Sequence, residues 1–497
     1  MKQRNELFKD LIFYEIYPTS FYDSNSDGIG DLMGIKKKLS YIKELGCNAI
    51  WLNPFFVSPF RDGGYDISDF FNVDSKFGTM RDFDDLIKEA KKLKIKIILD
   101  CVAGHTSNIS KEFIESSKEK KNKYSDLFIW NNNVWHMESG YKLVSGCTPR
   151  NGNFLVNFFA FQPALNYGFN KIEYPEWQMS YRDQRTYQAR NFIIKFMKFW
   201  LKKGVAGFRV DMADSLVKND KDKSATIEVW RYIFKKVKND YPNAFFVSEW
   251  SNPNQSFRAG FDCDFVLNHW HNFYHHLARS TKSTCGVSVL NGGDSSVFIK
   301  DLKWRYSESI KNHGYLGIIS GNHDTTRVAT FLSLEKLKMF YMFMFMMPGI
   351  PFLYYGDEIM MKNATIANKD GGYTRTGART PMQWDESKNA GFSKASTDKL
   401  YLPVNKGSKT NLIGNLNDKN SLYYTIKTLI KIRKNNPSIL NATMTFNVKN
   451  NVINLNRGNL RLILNCSKKD ITVKNKILYS TGKNKTIKPN EGAIIII

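Results

Sequence analysis

Eight short apolar segments between residues 11 and 355 alternate with stretches in which apolar residues recur at helical spacing. Residues 81–93, 190–202 and 226–238 show this spacing and are predicted to be amphipathic helices. Strand–helix alternation repeated this often predicts a parallel sheet closed into a (β/α)8 TIM barrel, an α/β fold. The eight candidate strands are residues 11–17, 49–52, 96–101, 207–211, 245–249, 263–267, 317–320 and 351–355.

Two regions depart from this alternation. Residues 104–170 follow the third candidate strand without clear periodicity, over a length too great for a simple loop, and are predicted to form an inserted subdomain. After residue 405, short β-like runs at 422–425, 452–455, 460–465 and 493–497 predict a C-terminal antiparallel β-sandwich. The predicted organisation is a barrel formed by 1–103 and 171–404, the subdomain 104–170 and the sandwich 405–497.

The composition narrows the possible partners. The 497 residues carry 72 basic and 47 acidic side chains, a net charge of +25, but the basic residues are spread thinly and form no nucleic-acid-binding motif. The apolar run 339–355 is broken by Pro348, Gly349 and Pro351, which predicts a buried helix, a turn and a buried strand instead of a membrane span. No secretory signal is recognised, and six scattered cysteines indicate a reducing, cytoplasmic location without a disulfide framework or zinc site. We therefore expect no nucleic-acid partner and no membrane partner.

The fourth candidate strand carries a charged pair in the sequence AGFRVDMAD at 206–214. Alternate residues of a strand share a face, so Arg209 and Asp211 project to one side and Phe208 and Val210 to the other. The carboxyl end of a barrel strand is where barrel enzymes place catalytic groups, and an adjacent arginine would hold an aspartate ionised as a nucleophile requires. The alternative is a purely structural ion pair.

Other strand ends carry further reactive groups. Glu249 ends the apolar strand FFVSEW, where apolar surroundings would raise the carboxyl pKa and suit a general acid. The segment SGNHDTTR supplies His323, Asp324 and Arg327, and ILDCVAGH supplies Asp100 and His105. Because the carboxyl ends of barrel strands meet at one face, we expect these groups to lie together.

The loop DSNSDGIGD at 23–31 matches the opening of a calcium-binding EF-hand loop but lacks the bidentate glutamate at its twelfth position, which is Gly34. Its oxygen donors suit a hard cation, so we predict a structural Ca²⁺ site. The predicted ligands are Asp23, Asn25, Asp27, the carbonyl of Ile29, and Asp31. The alternative is a polar turn that caps the following helix.

Taken in order, these motifs resemble the α-amylase superfamily of retaining glycoside hydrolases from about residue 12 to at least residue 384. The resemblance implies that Asp211 is the nucleophile, Glu249 the general acid/base and Asp324 the third carboxylate, which stabilises the transition state. A retaining mechanism needs two carboxyl groups about 5–5.5 Å apart. The resemblance also implies a set of sugar-contacting residues: Tyr65 as an aromatic platform, with His105, Gln162, Arg209, His323 and Arg327.

The same resemblance favours an exo-acting α-glucosidase for short oligosaccharides. Asp62 and Arg379, the latter in GARTPMQWD, match a pair that closes the pocket around one terminal sugar. The alternatives are a surface salt bridge for this pair, and an endo-amylase, a transglycosylase of the trehalose-synthase type or a non-catalytic binding protein for the chain. Ala164, at the usually acidic position of QPALN, and Met212, after the nucleophile, leave the linkage preference open. We expect a monomer or weak oligomer.

Overall fold

The computed structural model describes residues 6–267, 274–279, 287–371, 374–482 and 485–497. Its centre is a closed barrel of parallel strands in which the first strand pairs with both the second and the eighth. All eight candidate segments form these strands, so the predicted barrel is confirmed. The barrel strands are Phe13–Ile16, Ala49–Leu52, Lys96–Val102, Gly207–Asp211, Phe245–Ser248, Cys263–Phe265, Tyr315–Ile319 and Ile350–Tyr354.

Helices flank the barrel and extend beyond it. The three predicted from spacing are confirmed as α3, α5 and α6. In α3 the N-cap Thr79 forms a capping box with Asp82, and Phe83, Leu86 and Ala90 are buried at helical spacing. The helices are α1 (Leu32–Lys37), α2 (Leu39–Leu45), α3 (Met80–Lys92), α4 (Lys111–Ser116), α5 (Tyr187–Lys202), α6 (Ser224–Lys238), α7 (Pro253–Ala259), α8 (Ser296–Lys311), α9 (Leu334–Met346), α10 (Leu412–Asn417), α11 (Leu422–Asn435) and α12 (Ser438–Asn441).

Alternation along the fourth strand separates the core from the site. Phe208 packs toward α5, with its ring centroid 5.5 Å from that of Phe196. Arg209 faces the barrel interior, 5.1 Å from the ring of Trp51. The lower interior is filled by aromatic and aliphatic side chains, among them the stacked rings of Phe13 and Phe352. The barrel therefore has an apolar floor beneath a charged upper layer.

The apolar run near residue 345 forms the elements predicted for it. It begins within α9, turns at Met347–Gly349, and enters the eighth barrel strand, with both elements buried. Across the described ranges, no helix has the length and apolar character that crossing a bilayer requires.

The region after the third strand contains α4 and a short hairpin of Leu143–Val144 with Phe154–Leu155. Another small hairpin, Phe56–Val57 with Asp69–Val73, follows the second strand. Backbone bridges join Ala164 to His105 and Leu165 to Phe128. The first bridge fastens the QPALN segment to the chain just beyond the third barrel strand, and the second fastens it to a later part of the same region.

The C-terminal region begins with helices, which corrects one expectation. Residues 422–425 were expected to be β-like, but they start α11, where Leu422, Ile426, Leu429 and Ile430 are buried at helical spacing. Four residues are too short a window to separate the two periods. The strands that follow form a five-stranded antiparallel sheet and a two-stranded sheet, which share an apolar cluster around Ile463 and Ile487. In sheet order, the strands are Met444–Lys449, Val452–Arg457, Leu460–Asn465, Glu491–Ile496 and Ile477–Ser480, and then Ile471–Thr472 with Thr486–Ile487.

Two buried arginines of this region bind the end of α9. Arg433 Nη1 donates to the carbonyls of Phe345 and Met347, at 2.7 and 3.0 Å. Arg457 Nη1 donates to the carbonyls of Met346 and Met347, at 3.1 and 2.6 Å. The last carbonyls of a helix have no partner within the helix, so these arginines satisfy groups that would otherwise be buried without one.

Gly207 opens the fourth strand where two strands approach closely. A Cβ atom there would lie 1.9 Å from the carbonyl oxygen of Phe245, on the neighbouring strand. We expect Gly207→Ala to destabilise the fold by about 3 kcal/mol or more, measured by thermal and denaturant unfolding. Gly414→Ala is the matched control, because that glycine lies in α10 with ordinary contacts and its replacement should be neutral or stabilising. Equal stability of the two variants would contradict the argument.

Candidate active site

The predicted catalytic groups lie together at the carboxyl ends of the barrel strands. Asp211 is the last residue of the fourth strand, and Glu249 directly follows the fifth. His323 and Asp324 lie four and five residues beyond the seventh strand. Parallel strands bring these positions to one face of the barrel.

Arg209 holds three carboxylates at the centre of this face. Its Nη1 lies 2.5 Å from Asp100 Oδ1 and 3.0 Å from Asp211 Oδ1, and its Nη2 lies 2.8 Å from Glu249 Oε2. The arginine side chain is only 1% exposed. One guanidinium therefore fixes the predicted nucleophile and the predicted acid/base relative to each other.

Glu249 receives a second constraint from the backbone. Met212 N donates to Glu249 Oε2 at 2.9 Å. Met212 has φ 41° and ψ 46°, a left-handed conformation that non-glycine residues seldom adopt. This turn directly after Asp211 aims the peptide N–H at the neighbouring carboxylate.

The pKa of Asp211 is higher than the sequence predicts. Burial raises the pKa of this carboxyl, Arg209 lowers it, and the nearby Glu249 and Asp100 raise it further, so that it lies well above its ordinary value. Arg209 was expected to hold Asp211 ionised. Its effect is outweighed first by burial and then by Glu249 and Asp100, the two other carboxylates that the same cation serves.

At Asp324 and His323, charged neighbours outweigh burial in setting the pKa. His323 Nδ1 lies 2.8 Å from Glu15 Oε1, and its Nε2 lies 3.2 Å from Asp324 Oδ2. Burial alone would lower the pKa of His323, but the two carboxylates raise it to about 9. Burial likewise raises the pKa of Asp324, but His323, Arg375 and Arg379 outweigh it and hold that pKa well below the ordinary value.

One predicted ion pair is corrected. Asp62 was expected to pair with Arg379, but it binds Arg375, whose Nη1 also lies 2.9 Å from Asp324 Oδ1. Arg379 is held below the pocket because its Nε donates to the carbonyl of His323 at 2.9 Å and its Nη2 binds Asp324 at 2.8 Å. Gln162 Nε2 donates to Asp62 Oδ2 at 2.6 Å. Burial raises the pKa of Asp62 to about 6, against the effect of Arg375.

Two adjoining cavities open above these groups. The deeper cavity has a volume of about 240 Å³, and the second has about 360 Å³. Both are lined by Phe158, Glu249, Asp324 and Arg375. The deeper cavity is also lined by Asp62, Tyr65, His105, Asp211, Met212 and Asp214.

Tyr65 and His105 form walls of the deeper cavity. The Tyr65 ring stacks on His323 with centroids 5.2 Å apart, and its hydroxyl donates to Asp100 Oδ2 at 3.1 Å. His105 Nε2 lies 3.1 Å from the carbonyl oxygen of Tyr65. Burial lowers the pKa of His105 to about 4, so this imidazole is neutral at physiological pH.

Arg327 lies apart from the other predicted sugar contacts. It is fully buried, and its guanidinium donates to the carbonyls of Tyr355 and Ala378 and to Asp357. It lines neither cavity, and neither do Gln162, Arg209 and His323, so their roles as sugar contacts stay predictions. These carbonyls and a buried carboxylate draw the Arg327 side chain away from the cavities.

Several residues at the site were not singled out from sequence. Glu15 lies on the inward face of the first strand, but a glutamate within an apolar segment gives no functional signal by itself. Arg375 precedes the GARTPMQWD motif by two residues, so the motif pointed to the region but not to the right arginine. Asn53 and Asn157, which contact His323 and His105, follow no pattern that sequence reasoning uses.

The loop at residues 23–31 is held by its own hydrogen bonds. Asp31 is the N-cap of α1, where its Oδ1 accepts from Gly34 N at 2.6 Å. Asp23 accepts from the backbone of Asn25, Ser26 and Gly28. Within the part of the chain that the structure describes, no three His, Cys, Asp or Glu side chains converge as a metal site requires. The capping role is thus visible in the structure, and the calcium site stays a prediction.

The closed barrel, with two carboxylates on one buried arginine at its carboxyl face, defines a glycoside hydrolase of the barrel class. Residues 15–442 match the family "Alpha amylase, catalytic domain", and the chain belongs to this family.

Curated relatives and solved structures agree with this assignment. The chain is 33% identical to an oligo-1,6-glucosidase of Heyndrickxia coagulans, over 86% of this chain and 85% of that protein. It is 30% identical to an α-glucosidase of Apis mellifera, over 96% of this chain and 88% of that protein. The crystal structure of a trehalulose synthase from Pseudomonas mesoacidophila MX-45 aligns with a TM-score of 0.82 at 23% identity, covering 99% of both chains, which shows a common fold.

The buried His323, which lies between the carboxylates of Asp324 and Glu15, predicts a pH dependence of stability. A histidine whose pKa rises from 6.5 to about 9 on folding contributes fully below about pH 6.5, and this contribution is lost as the pH rises through about 9. We expect the melting temperature to fall more steeply between these pH values in the wild type than in a variant carrying both His323→Gln and Glu15→Gln.

Thermal unfolding by circular dichroism at each pH measures this slope. The variant His313→Gln is the control, because His313 is exposed and should leave the wild-type slope intact. The argument fails if the double variant keeps the full wild-type slope.

Proposed function

We propose that this protein is a retaining, exo-acting α-glucosidase that removes terminal α-linked glucose from short oligosaccharides. The observation that carries the proposal is the arrangement of Asp211 and Glu249 on the Arg209 guanidinium, on the wall of a small deep cavity. Relatives named oligo-1,6-glucosidase and α-glucosidase support the same activity.

The geometry assigns each carboxylate a step. Asp211 attacks the anomeric carbon while Glu249 protonates the leaving oxygen, giving a covalent glycosyl-enzyme. Among the described residues, hydrogen-bond donors reach Oε2 of Glu249, from Met212 N and Arg209, so Oε1 is the oxygen that carries the proton. Glu249, now ionised, then takes a proton from the water that hydrolyses the intermediate.

Asp324 supplies a fixed negative charge. Its pKa is held well below the ordinary value by His323, Arg375 and Arg379, so it stays ionised throughout the cycle. A preorganised carboxylate next to the reacting sugar stabilises the positive charge of an oxocarbenium-like transition state.

The exo mode follows from the Arg375 bridge. Arg375 joins Asp62 to Asp324 across one side of the deeper cavity. A bridge there limits the cavity to the end of a chain, whereas internal cleavage needs a groove that continues past the cleaved unit. The second cavity, which shares Glu249 and Asp324, is where the leaving sugar would lie.

Product analysis tests the exo proposal. The substrates to be tested are maltotriose, isomaltose, sucrose, trehalose and p-nitrophenyl α-glucoside. We expect the enzyme to release single glucose units with retained anomeric configuration, measured by chromatography and NMR. Asp211→Asn should fold normally and lose a factor on the order of 10⁴ in kcat. Internal cleavage of long starch chains with intact p-nitrophenyl α-glucoside would refute the exo mode, and isomerised disaccharides would indicate a transglycosylase.

We retain calcium at the 23–31 loop as a proposal supported by donor chemistry alone, since carboxylate, amide and carbonyl oxygens are ligands that Ca²⁺ prefers. A bound ion would have to compete with the hydrogen bonds that Asp23 and Asp31 accept within the loop. We expect Ca²⁺ to raise the melting temperature of EDTA-treated protein, and Asp27→Asn to reduce that rise. Asp69→Asn, on a separate hairpin, is the control; an identical response in all three proteins would exclude this loop.

We further propose a cytoplasmic location and a monomer or weak oligomer. The location is supported by the cysteines: Cys47, Cys101 and Cys263 are buried, and burial raises the pKa of each thiol. Cys285 lies outside the described residues. Light scattering on the purified protein measures the oligomeric state.

A further inference from the structure

The hydrogen bonds of His105 define its tautomer. The carbonyl oxygen of Tyr65 can only accept, so Nε2 of His105, 3.1 Å away, must carry a hydrogen. In a neutral imidazole, Nδ1 is then an acceptor, and Asn157 Nδ2 lies 3.2 Å from it. The ring is therefore held at both nitrogens by uncharged protein groups.

Lys218 sets the orientation of Asn157. Its ammonium can only donate, and its Nζ lies 2.9 Å from Asn157 Oδ1 and 2.8 Å from the carbonyl of Ser215. The Asn157 amide must therefore turn its oxygen to Lys218 and its nitrogen to His105. Burial and then the nearby Lys223 lower the pKa of Lys218 to about 8, against the effect of Asp214, so the ammonium form predominates at neutral pH. Among the described residues, no carboxylate lies within ion-pair distance of Lys218, so this charge acts on the Asn157 amide.

We infer that Lys218 and Asn157 are positioning residues that hold His105 as the neutral Nε2–H tautomer on the wall of the glucose-binding cavity. The inference rests on the proposed function, because it takes the cavity as the sugar site. The order of contacts is Lys218 to Asn157, Asn157 to His105 and His105 to the backbone of Tyr65, whose ring stacks on His323.

The neutral state of His105 keeps a second cation away from the carboxyls of the cavity. The other titratable groups that line the same cavity are the carboxyls of Asp62, Asp211, Asp214, Glu249 and Asp324, the Tyr65 hydroxyl and the Arg375 guanidinium. Ala164, which pairs with His105 through the backbone, does not titrate. An imidazolium at His105 would add a second cation to this wall. A cation at this position favours the ionised form of the carboxyls that line the cavity, whereas the first step of the proposed cycle needs Glu249 to be protonated.

Asn157→Asp replaces the amide that donates to Nδ1 of His105 with a carboxylate. A carboxylate there can only accept, so both ring nitrogens of His105 must donate and the ring becomes an imidazolium near neutral pH. We expect ¹⁵N NMR of histidine-labelled protein to show His105 as neutral Nε2–H in the wild type and doubly protonated in the variant. The signal is assigned by comparison with His105→Gln.

Activity should follow the same titration. We expect kcat of Asn157→Asp on p-nitrophenyl α-glucoside to fall about 10-fold at neutral pH and to recover as the pH rises through the new pKa of His105. The wild type should show no such recovery. A merely structural role for Asn157 would lower activity without moving the pH profile.

Lys218→Met provides a second variant that keeps the length of the side chain and removes the donor. Without the ammonium the Asn157 amide can turn, so we expect mixed His105 tautomers and a several-fold loss in kcat with a smaller change in KM. Lys218→Arg should restore both. Lys171→Met, which removes a mostly exposed lysine nearby, should match the wild type.

Clear results overturn the inference. A wild-type His105 protonated at Nδ1, or an Asn157→Asp protein whose His105 stays neutral with an unmoved pH profile, would refute it. If Asn157→Asp does not fold, the wild-type tautomer and Lys218→Met still decide. The NMR readout needs no substrate, so absence of α-glucosidase activity with the expected tautomers would refute the proposed function and leave the positioning role standing.

Discussion

The buried guanidinium of Arg209 is the interaction on which the site depends. It neutralises part of the charge on Asp100, Asp211 and Glu249, and within the described ranges none of these carboxylates has a second ion-pair partner. Breaking a buried ion pair leaves an uncompensated charge, which is far more costly than the net worth of the pair. Barrel register supplies the geometry, because Asp100 and Arg209 are direct partners on neighbouring strands. The fold thus fixes the catalytic spacing through one side chain.

The charge of the site is opposite in sign to that of the whole chain. Carboxyl groups outnumber cations around the cavities, although the whole chain carries +25. Arginines and one protonated histidine are gathered at Asp324, while Asp211 shares its single cation with two other acids. Two carboxylates of similar type therefore have opposite pKa shifts, because Asp324 has several cations around it and Asp211 shares one. The excess of basic residues belongs to the exterior and has no part in this chemistry.

Prediction from the sequence succeeded where the spacing of apolar residues, or the end of an apolar segment, marked the feature. The eight strands were found because each is an apolar run bounded by helical spacing, and Asp211, Glu249 and Asp324 because each ends or follows such a run. It failed where residues distant in the sequence compete for the same side chain. Arg375 and Arg379 lie close together in the sequence, and contacts with the carbonyl of His323 and with the carboxylates of Asp324 and Asp370 hold Arg379 below the pocket.

The two arginines that bind the end of α9 have a consequence for how the chain is completed during synthesis. The carbonyls between α9 and the eighth strand receive their donors from residues 84 to 111 positions further along the chain. That strand is also the one that closes the barrel against the first. A nascent chain that ends at the predicted boundary near residue 404 would contain every barrel strand. It would still lack the two arginines that donate hydrogen bonds to the segment before the eighth strand. The ribosome must release Arg457 before the catalytic barrel can reach its final hydrogen-bonded state.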